Sequence, residues 1–290
     1  MDIKNPEKIK QEQILLCGNL NLKGRGIIAK EGINFTLEGT EKEVNNYKLT
    51  MNKIFQDIHF KESESEGNAF PKLSIKVRDE IVTARLGKDD VNPNFLTGKY
   101  LSAEELHNWY ENKKEFIILD MRNGFEQEVG YFENSLLSQF ARFDELPKII
   151  PQLKKDLLEK DIPIVTVCTG GVRCEKASGF LLNCGFKNVY QLFGGIHSYM
   201  EKYPNGYFRG SLYVFDQRVV MGFNFDDQNR EVLGRCAKCD TPSENYINCK
   251  DPFCNRHFIA CKNCLIDGKI LCPMGCRDYS KEHPEAVKVY

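Results

Sequence analysis

"CTGGVRCEKASGF", residues 168–180, decides how the middle of this chain folds. It begins where the apolar run "IPIVTVC" ends and passes over two glycines into "EKASGFLLNCGF", a helical segment closed by Gly185. A buried strand that turns directly into a helix is the repeating unit of parallel α/β sheets, whose ligands bind at the carboxyl ends of the strands. Cys168 stands at that place. Gly170 and Gly171 let the backbone turn its N–H groups inward, a helix N-terminus adds partial positive charge, and Arg173 adds a full one. These effects depress a thiol pKa, and the thiolate is the nucleophile. The expectation is an ionised sulfur at the mouth of a cleft. A plainer reading of the same residues is a small buried side chain at a strand end beside a tight turn.

The surrounding segments extend the α/β pattern. "LSAEELHNWYEN" carries a serine cap with Glu105 three positions on, "EFIILDM" is a buried strand, "KNVYQLFGG" a third strand with a glycine turn, and "IHSYMEKY" a helix. Toward the N-terminus the pattern changes. "PEKIKQEQILLCG" predicts a helix opened by Pro6, "TEKEVNNYKLTMNKIF" a second helix, and "RGIIAKEG", "INFTLEG", "PKLSIKVR" and "EIVTARL" four strands of a small α+β unit. "GKDDVNPNFLTGK" lacks periodicity and reads as a linker.

The chain has 290 residues, room for two or three domains at ~100–200 residues each. A formal charge of −1 gives no global field toward nucleic acid, so an RNA partner must be engaged by local patches. Lys23, Arg25, Lys30, Lys72, Lys76, Arg78, Arg85 and Lys88 could form one basic face, although residues 1–100 hold 16 Lys and Arg against 15 Asp and Glu. No run approaches the ~18 apolar residues of a membrane span, and the start has no signal-peptide core. The expectation is a cytoplasmic protein without membrane contact.

Twelve cysteines in such a chain point to metal binding or thiol chemistry rather than disulfides. Eight crowd into "CAKC", "CKDPFC", "CKNC" and "CPMGC", enough thiolates for two tetrahedral Zn²⁺ sites. An interleaved arrangement joins Cys236 and Cys239 to Cys261 and Cys264, and Cys249 and Cys254 to Cys272 and Cys276; a sequential one pairs neighbours. Disulfides or iron–sulfur ligation are the competing readings, and His257 is taken as a bystander. The tail needs metal or cross-links to fold. Cys174 is either a resolving thiol for Cys168 or a packed first-turn residue, whereas Cys17 and Cys184 are expected to be inert core. Nothing indicates flavin, haem or nicotinamide.

"IVTVCTGGVRCEKASGFLLNCGFKNVYQLFGGIHSYM" and "FIILDMRNGFEQEVGYFENSLL" together resemble a rhodanese-like domain. The resemblance implies an amide-lined loop of Cys168, Thr169, Gly170, Gly171, Val172 and Arg173, followed by Cys174, with Asp120 and Arg122 supporting the site. Cysteine phosphatases need a wider ring with arginine six positions after the cysteine; here Arg173 is the fifth and Cys174 the sixth. "AKEGINFTLEGTEKEV" in front, "GSLYVFDQRVVMGFN" behind and the cysteine-rich tail sharpen the likeness to the bacterial tRNA uridine hydroxylase family. Two departures stand out: Phe35 replaces a usual glycine, and the aromatic strand that ordinarily precedes the first helix is not visible before Pro6.

The implied architecture is a ferredoxin/acylphosphatase-like α+β domain at 1–90, a rhodanese-like catalytic α/β domain at 99–204, and a C-terminal segment at 210–290 with the metal-binding region. The implied activity is O2-dependent conversion of wobble uridine to 5-hydroxyuridine in the tRNA anticodon loop. Cys168 would add to C6 of the pyrimidine or carry oxygen as an oxygenated sulfur species, with Zn²⁺ structural. The alternatives are a persulfide-carrying sulfurtransferase and a non-catalytic zinc-binding adaptor.

Overall fold

The computed structural model describes residues 2–55, 58–137, 140–158, 162–223, 230–251, 253–254, 256–265 and 271–273. Near the N-terminus, helix α1 (Pro6–Asn19) is started by Asn5, whose side chain accepts from Lys8 N–H. Helix α2 (Glu41–Ile54) opens with a reciprocal capping box between Thr40 and Glu43. Both lie against a sheet of β1 (Lys23–Ala29), β2 (Gly32–Glu38) and β3 (Leu73–Val77), ordered β2-β1-β3, with β1/β2 antiparallel and β1/β3 parallel. Cys17, Ile28 and Met51 are fully buried in this core.

Two of the sequence expectations need correction here. "EIVTARL" is not a strand: the Glu80 carboxylate accepts from the Ala84 and Arg85 amides, and Glu31 accepts from Ile81 N–H. Side chains take the bonds that a ladder would have used. Nor is the stretch after it a free linker, because Val91 is buried and packs with Leu96 on the helix that follows the cysteine loop. A side chain at Gly179 of that helix would meet the Leu96 carbonyl oxygen at 2.4 Å, so the close approach depends on glycine.

The central sheet is parallel throughout. Its strands are β4 (Lys99–Leu101), β5 (Ile117–Asp120), β7 (Ser135–Leu137), β8 (Ile164–Val167) and β9 (Val189–Leu192), in the order β4-β9-β8-β5-β7. Between them run α3 (Ala103–Glu111), α4 (Gly124–Gln127), α5 (Leu146–Leu158) and α6 (Val172–Asn183), and α7 (Gly195–Lys202) follows β9. Helices on both faces explain why β8 is buried at every position. β6 (Gly130–Phe132) pairs with β10 (Phe208–Gly210). Beyond it come the small ladders of β11 (Leu212–Tyr213) with β12 (Val220–Met221) and β13 (Tyr246–Asn248) with β14 (His257–Ile259). No described helix is long and apolar enough to cross a membrane.

Lys176 of α6 joins the two sheets. Its ammonium is 1% exposed and lies 3.1 Å from Glu31, 2.9 Å from Asp90 and 4.0 Å from Glu80. A second buried charge pair, Asp120 with Arg122, is equally sealed, with Nη2 at 2.6 Å and Nε at 3.0 and 3.1 Å from the carboxylate oxygens. Removing one member strands the other in a water-free place, which costs about 3–5 kcal/mol. Asp120→Ala is therefore expected to lower unfolding stability by that amount in urea denaturation; a loss below about 1 kcal/mol would mean that the pair is not sealed.

Candidate functional site

Cys168 follows β8, the middle strand of the parallel sheet. The chain then turns through Gly171, whose φ of 91° is left-handed, directly into α6. That turn brings the Gly171 N–H to 3.1 Å from Cys168 Sγ. The Arg173 and Cys174 amides also donate toward the sulfur. From the far side, Ile196 N–H bonds the Cys168 carbonyl at 2.9 Å and His197 N–H the Thr169 carbonyl at 3.0 Å. This close seat requires Gly195: a Cβ there would lie 2.5 Å from Gly171 N and 2.6 Å from the Cys168 carbonyl oxygen.

The sulfur lies deeper than the mouth of a cleft. Cys168 is 2% exposed, while Thr169 to Arg173 are half-buried and form the accessible side of the loop. Burial by itself raises the Cys168 pKa. The Cys174 thiol, the Arg173 guanidinium and the two loop amides outweigh it, and the pKa falls well below the ordinary thiol range. Cys174 moves the other way through burial and its neighbouring thiolate, so it stays protonated and serves as a donor.

Arg173 owes its position to Glu126, a fully buried carboxylate. The guanidinium forks onto it, Nη1 to Oε1 at 2.6 Å and Nη2 to Oε2 at 2.7 Å, and Thr169 Oγ1 lies 3.3 Å from Oε2. Glu126 is set in turn by Arg122, whose Nη1 donates to the Glu126 carbonyl at 3.1 Å while Nη2 donates to the Gly130 carbonyl at 2.7 Å. Asp120 holds the rest of Arg122. Hence the two supporting residues act on the sulfur through Glu126, which motif reading passed over, although Asn123 followed by Glu126 has the spacing of a capping box.

Lys61 is a second residue the motifs did not mark. It belongs to the segment between α2 and β3 and donates to the Gly170 carbonyl. The same segment is bonded by Arg218 from the turn between β11 and β12, Nη1 donating to Ser63 Oγ at 3.1 Å and to the Glu64 carbonyl at 3.2 Å. Among the basic residues of the N-terminal sheet, Lys23, Arg25 and Lys76 share the solvent face opposite the buried Ile28 and Ile75. Lys30, Lys72 and Arg78 are exposed around it. Arg85 stands apart, paired to Asp144 at 3.3 Å, and Lys88 lies in the short turn beyond it.

The tail sorts its cysteines in the interleaved way. The Sγ atoms of Cys236, Cys239, Cys261 and Cys264 lie within 4.8 Å of one another, as do those of Cys249, Cys254 and Cys272. Cys276 lies outside the described residues. No disulfide is formed among the described cysteines, and each group is able to hold a metal ion. His257 is not in either group; its ring stacks on Tyr246 at 4.8 Å. Cys17 is sealed in the N-terminal core, whereas Cys184 is half-buried at the end of α6, more open than expected.

Curated relatives of this chain are named tRNA uridine(34) hydroxylase. The chain is 38% identical to a tRNA uridine(34) hydroxylase of Bacillus cytotoxicus, the match covering 97% of this chain and 88% of that one. It belongs to the tRNA uridine(34) hydroxylase family. A Bacillus licheniformis hydroxylase is also 38% identical, over 99% of this chain and 87% of that one, and an Arthrobacter hydroxylase 39% over 94% and 95%. Three family models match in series: a UPF0176 acylphosphatase like domain at residues 1–81, a rhodanese-like domain at 102–202, and a rhodanase C-terminal model at 209–277. The hydroxylase fold is thus an acylphosphatase-like unit, a rhodanese-like parallel sheet and a cysteine-rich end.

Iodoacetamide labelling of Cys168, followed by peptide mass spectrometry, reports its ionisation. The rate is expected to inflect well below the ~8.5 of a free thiol. Arg173→Met should raise that inflection by about 1–3 units, because it removes the neighbouring cation; an unmoved inflection would exclude Arg173 as the stabilising charge.

Proposed function

We propose that this chain hydroxylates C5 of the wobble uridine in the anticodon loop of tRNA, in the cytoplasm, with O2 as oxygen source and Cys168 as the essential thiolate. The single observation that supports the reading is the seat of Cys168 Sγ, 3.1 Å under the Gly171 N–H and beside Arg173, in a chain of this family. The overall change consumes uridine, O2, two electrons and two protons and yields 5-hydroxyuridine and water, so an external two-electron donor is required. The thiolate either adds to C6, which makes C5 electron-rich, or carries oxygen as an oxidised sulfur before transfer. Both routes start from S⁻, and Glu126 keeps the cation that favours it in place. An anticodon-loop base is unpaired and enters a protein crevice at small stacking cost.

Burial of Cys168 assigns the rest of the loop its tasks. Thr169, Gly170, Gly171 and Val172 form the accessible wall, and the substrate must displace or slide past Lys61, which bridges to Gly170. The amide cradle also suits a persulfide, the sulfurtransferase alternative. We further infer that Zn²⁺ occupies both cysteine groups, with Cys276 completing the second. The Sγ separations of 3.6 Å for Cys239–Cys261 and 3.7 Å for Cys254–Cys272 fit the edges of a thiolate tetrahedron with Zn–S near ~2.3 Å. Closed sites of this kind are structural.

Nucleoside mass spectrometry of tRNA from cells lacking the chain is expected to show loss of 5-hydroxyuridine and its derivatives, restored by the wild-type chain and not by Cys168→Ser. Restoration by Cys168→Ser, or thiosulfate-to-cyanide turnover without tRNA hydroxylation, would turn the assignment to the sulfurtransferase or the adaptor. Elemental analysis should find about two zinc ions per chain, falling to about one in Cys239→Ser; absence of zinc from native protein would refute the metal assignment.

A further inference from the structure

Beside the Cys168 loop stand three rings that the core does not bury. Phe193, the residue before the Gly194–Gly195 turn, is 45% exposed, and Tyr100 of β4 is 54% exposed. Their centroids lie 5.7 Å apart, edge to face. His59, itself exposed, adds a third ring 4.8 Å from Phe193, tilted by 48°. Each ring is tied to the loop. Tyr100 Oη donates to Glu175 Oε1 at 3.3 Å, two residues beyond Arg173. Phe193 leads into the turn whose amides hold the Cys168 and Thr169 carbonyls, and His59 precedes Lys61, the donor to Gly170, by two residues.

We propose that His59, Phe193 and Tyr100 form a stacking platform for an unpaired RNA nucleotide next to the one presented to Cys168. This deepens the tRNA reading above and rests on it. Contiguous exposed aromatics on a soluble protein mark a binding surface, and single-stranded RNA is bound by stacking its bases on such rings while cations meet its phosphates. The charges around the row suit that partner. The Lys61 ammonium is bonded to a carbonyl rather than to a carboxylate. Glu175, bonded to Tyr100, and Glu201, which acts on His59, are the acids beside the row, and burial raises the Glu175 carboxyl. A peptide or a second copy of this chain is less well matched, because the row is short, aromatic and continuous with the reactive loop.

The test uses the full chain and a hairpin RNA whose unpaired loop carries 2-aminopurine beside the target uridine. Wild-type protein is expected to quench the probe on binding. Phe193→Ala and Tyr100→Ala should each abolish most of the quench and weaken binding by about 5- to 150-fold, the range for loss of one stacked base. Phe193→Trp should restore both. Hydroxylation of the same RNA, supplied with O2 and a two-electron reductant and read by nucleoside mass spectrometry, separates the two ideas: quenching without hydroxylation overturns the proposed reaction and leaves the platform. Full quenching and unchanged affinity in the Phe193→Ala/Tyr100→Ala double variant overturn the platform, whatever the hydroxylation rate. A dimer in sedimentation that Phe193→Ala dissociates would assign the rings to a second copy and overturn it as well. If Phe193→Ala fails to fold by circular dichroism, Tyr100→Leu carries the same test.

Discussion

The forked ion pair of Arg173 with Glu126 is the constraint on which the reactive loop depends. A thiolate in a sealed place is unfavourable by desolvation, and three amides plus a neutral thiol do not fix a cation beside it. Glu126 does, because both guanidinium nitrogens meet a carboxylate that is itself immobile. Its immobility comes from Arg122, which grips the Glu126 and Gly130 carbonyls, and from Asp120, which saturates the remainder of Arg122. Four charges alternate in sign along a path from the end of β5 to the sulfur. Each is buried enough that removing one leaves its neighbour uncompensated.

A second set of contacts makes the N-terminal unit part of the site rather than an appendage. Lys176 lies two residues past Cys174 on α6 and meets Glu31 from the β1–β2 turn together with Asp90 and Glu80. Three carboxylates around one sealed ammonium lock α6, and hence the loop at its start, against the N-terminal sheet. Lys61 makes the reverse connection, from the segment after α2 onto Gly170. Any motion of the N-terminal unit is therefore felt at both ends of the cysteine loop. Lys23, Arg25 and Lys76, on the solvent face of the N-terminal sheet, belong to that same unit.

What the sequence disclosed and what it hid divide along the range of the interactions involved. Cys168, the glycine turn, the parallel strands and the two cysteine groups are set by spacing and periodicity, and they were legible. Glu126 and Lys61 were not, because their value comes from partners 47 and 109 positions away. "EIVTARL" misled since β-branched residues there are served by the Glu80 carboxylate instead of a neighbouring strand. The stretch around Val91 and Leu96 looked like linker because its anchor, the bare backbone of Gly179, leaves no apolar pattern to read. The depth of Cys168 was hidden for a similar reason: Gly195 brings a whole turn onto the loop, and only coordinates show the resulting cover.

The cysteine-rich end bears on the same ion pair. β13 and β14 present Tyr246 and His257 to Phe125, the residue before Glu126. Tyr246 Oη donates to the Phe125 carbonyl, and the His257 and Tyr213 rings lie 5.7 and 5.2 Å from the Phe125 ring. α4 has only four residues and one hydrogen-bonded turn of its own, too little to fix Glu126 by helix formation. Packing from the tail supplies the missing restraint. The tail holds few aliphatic residues and gathers its core around the cysteines themselves, so its strands are ordered by whatever joins those sulfurs. Loss of that joint would free Tyr246, loosen α4 and blur the position of Glu126. The sulfur of Cys168 would then lose definition of its cation without any change in its own loop.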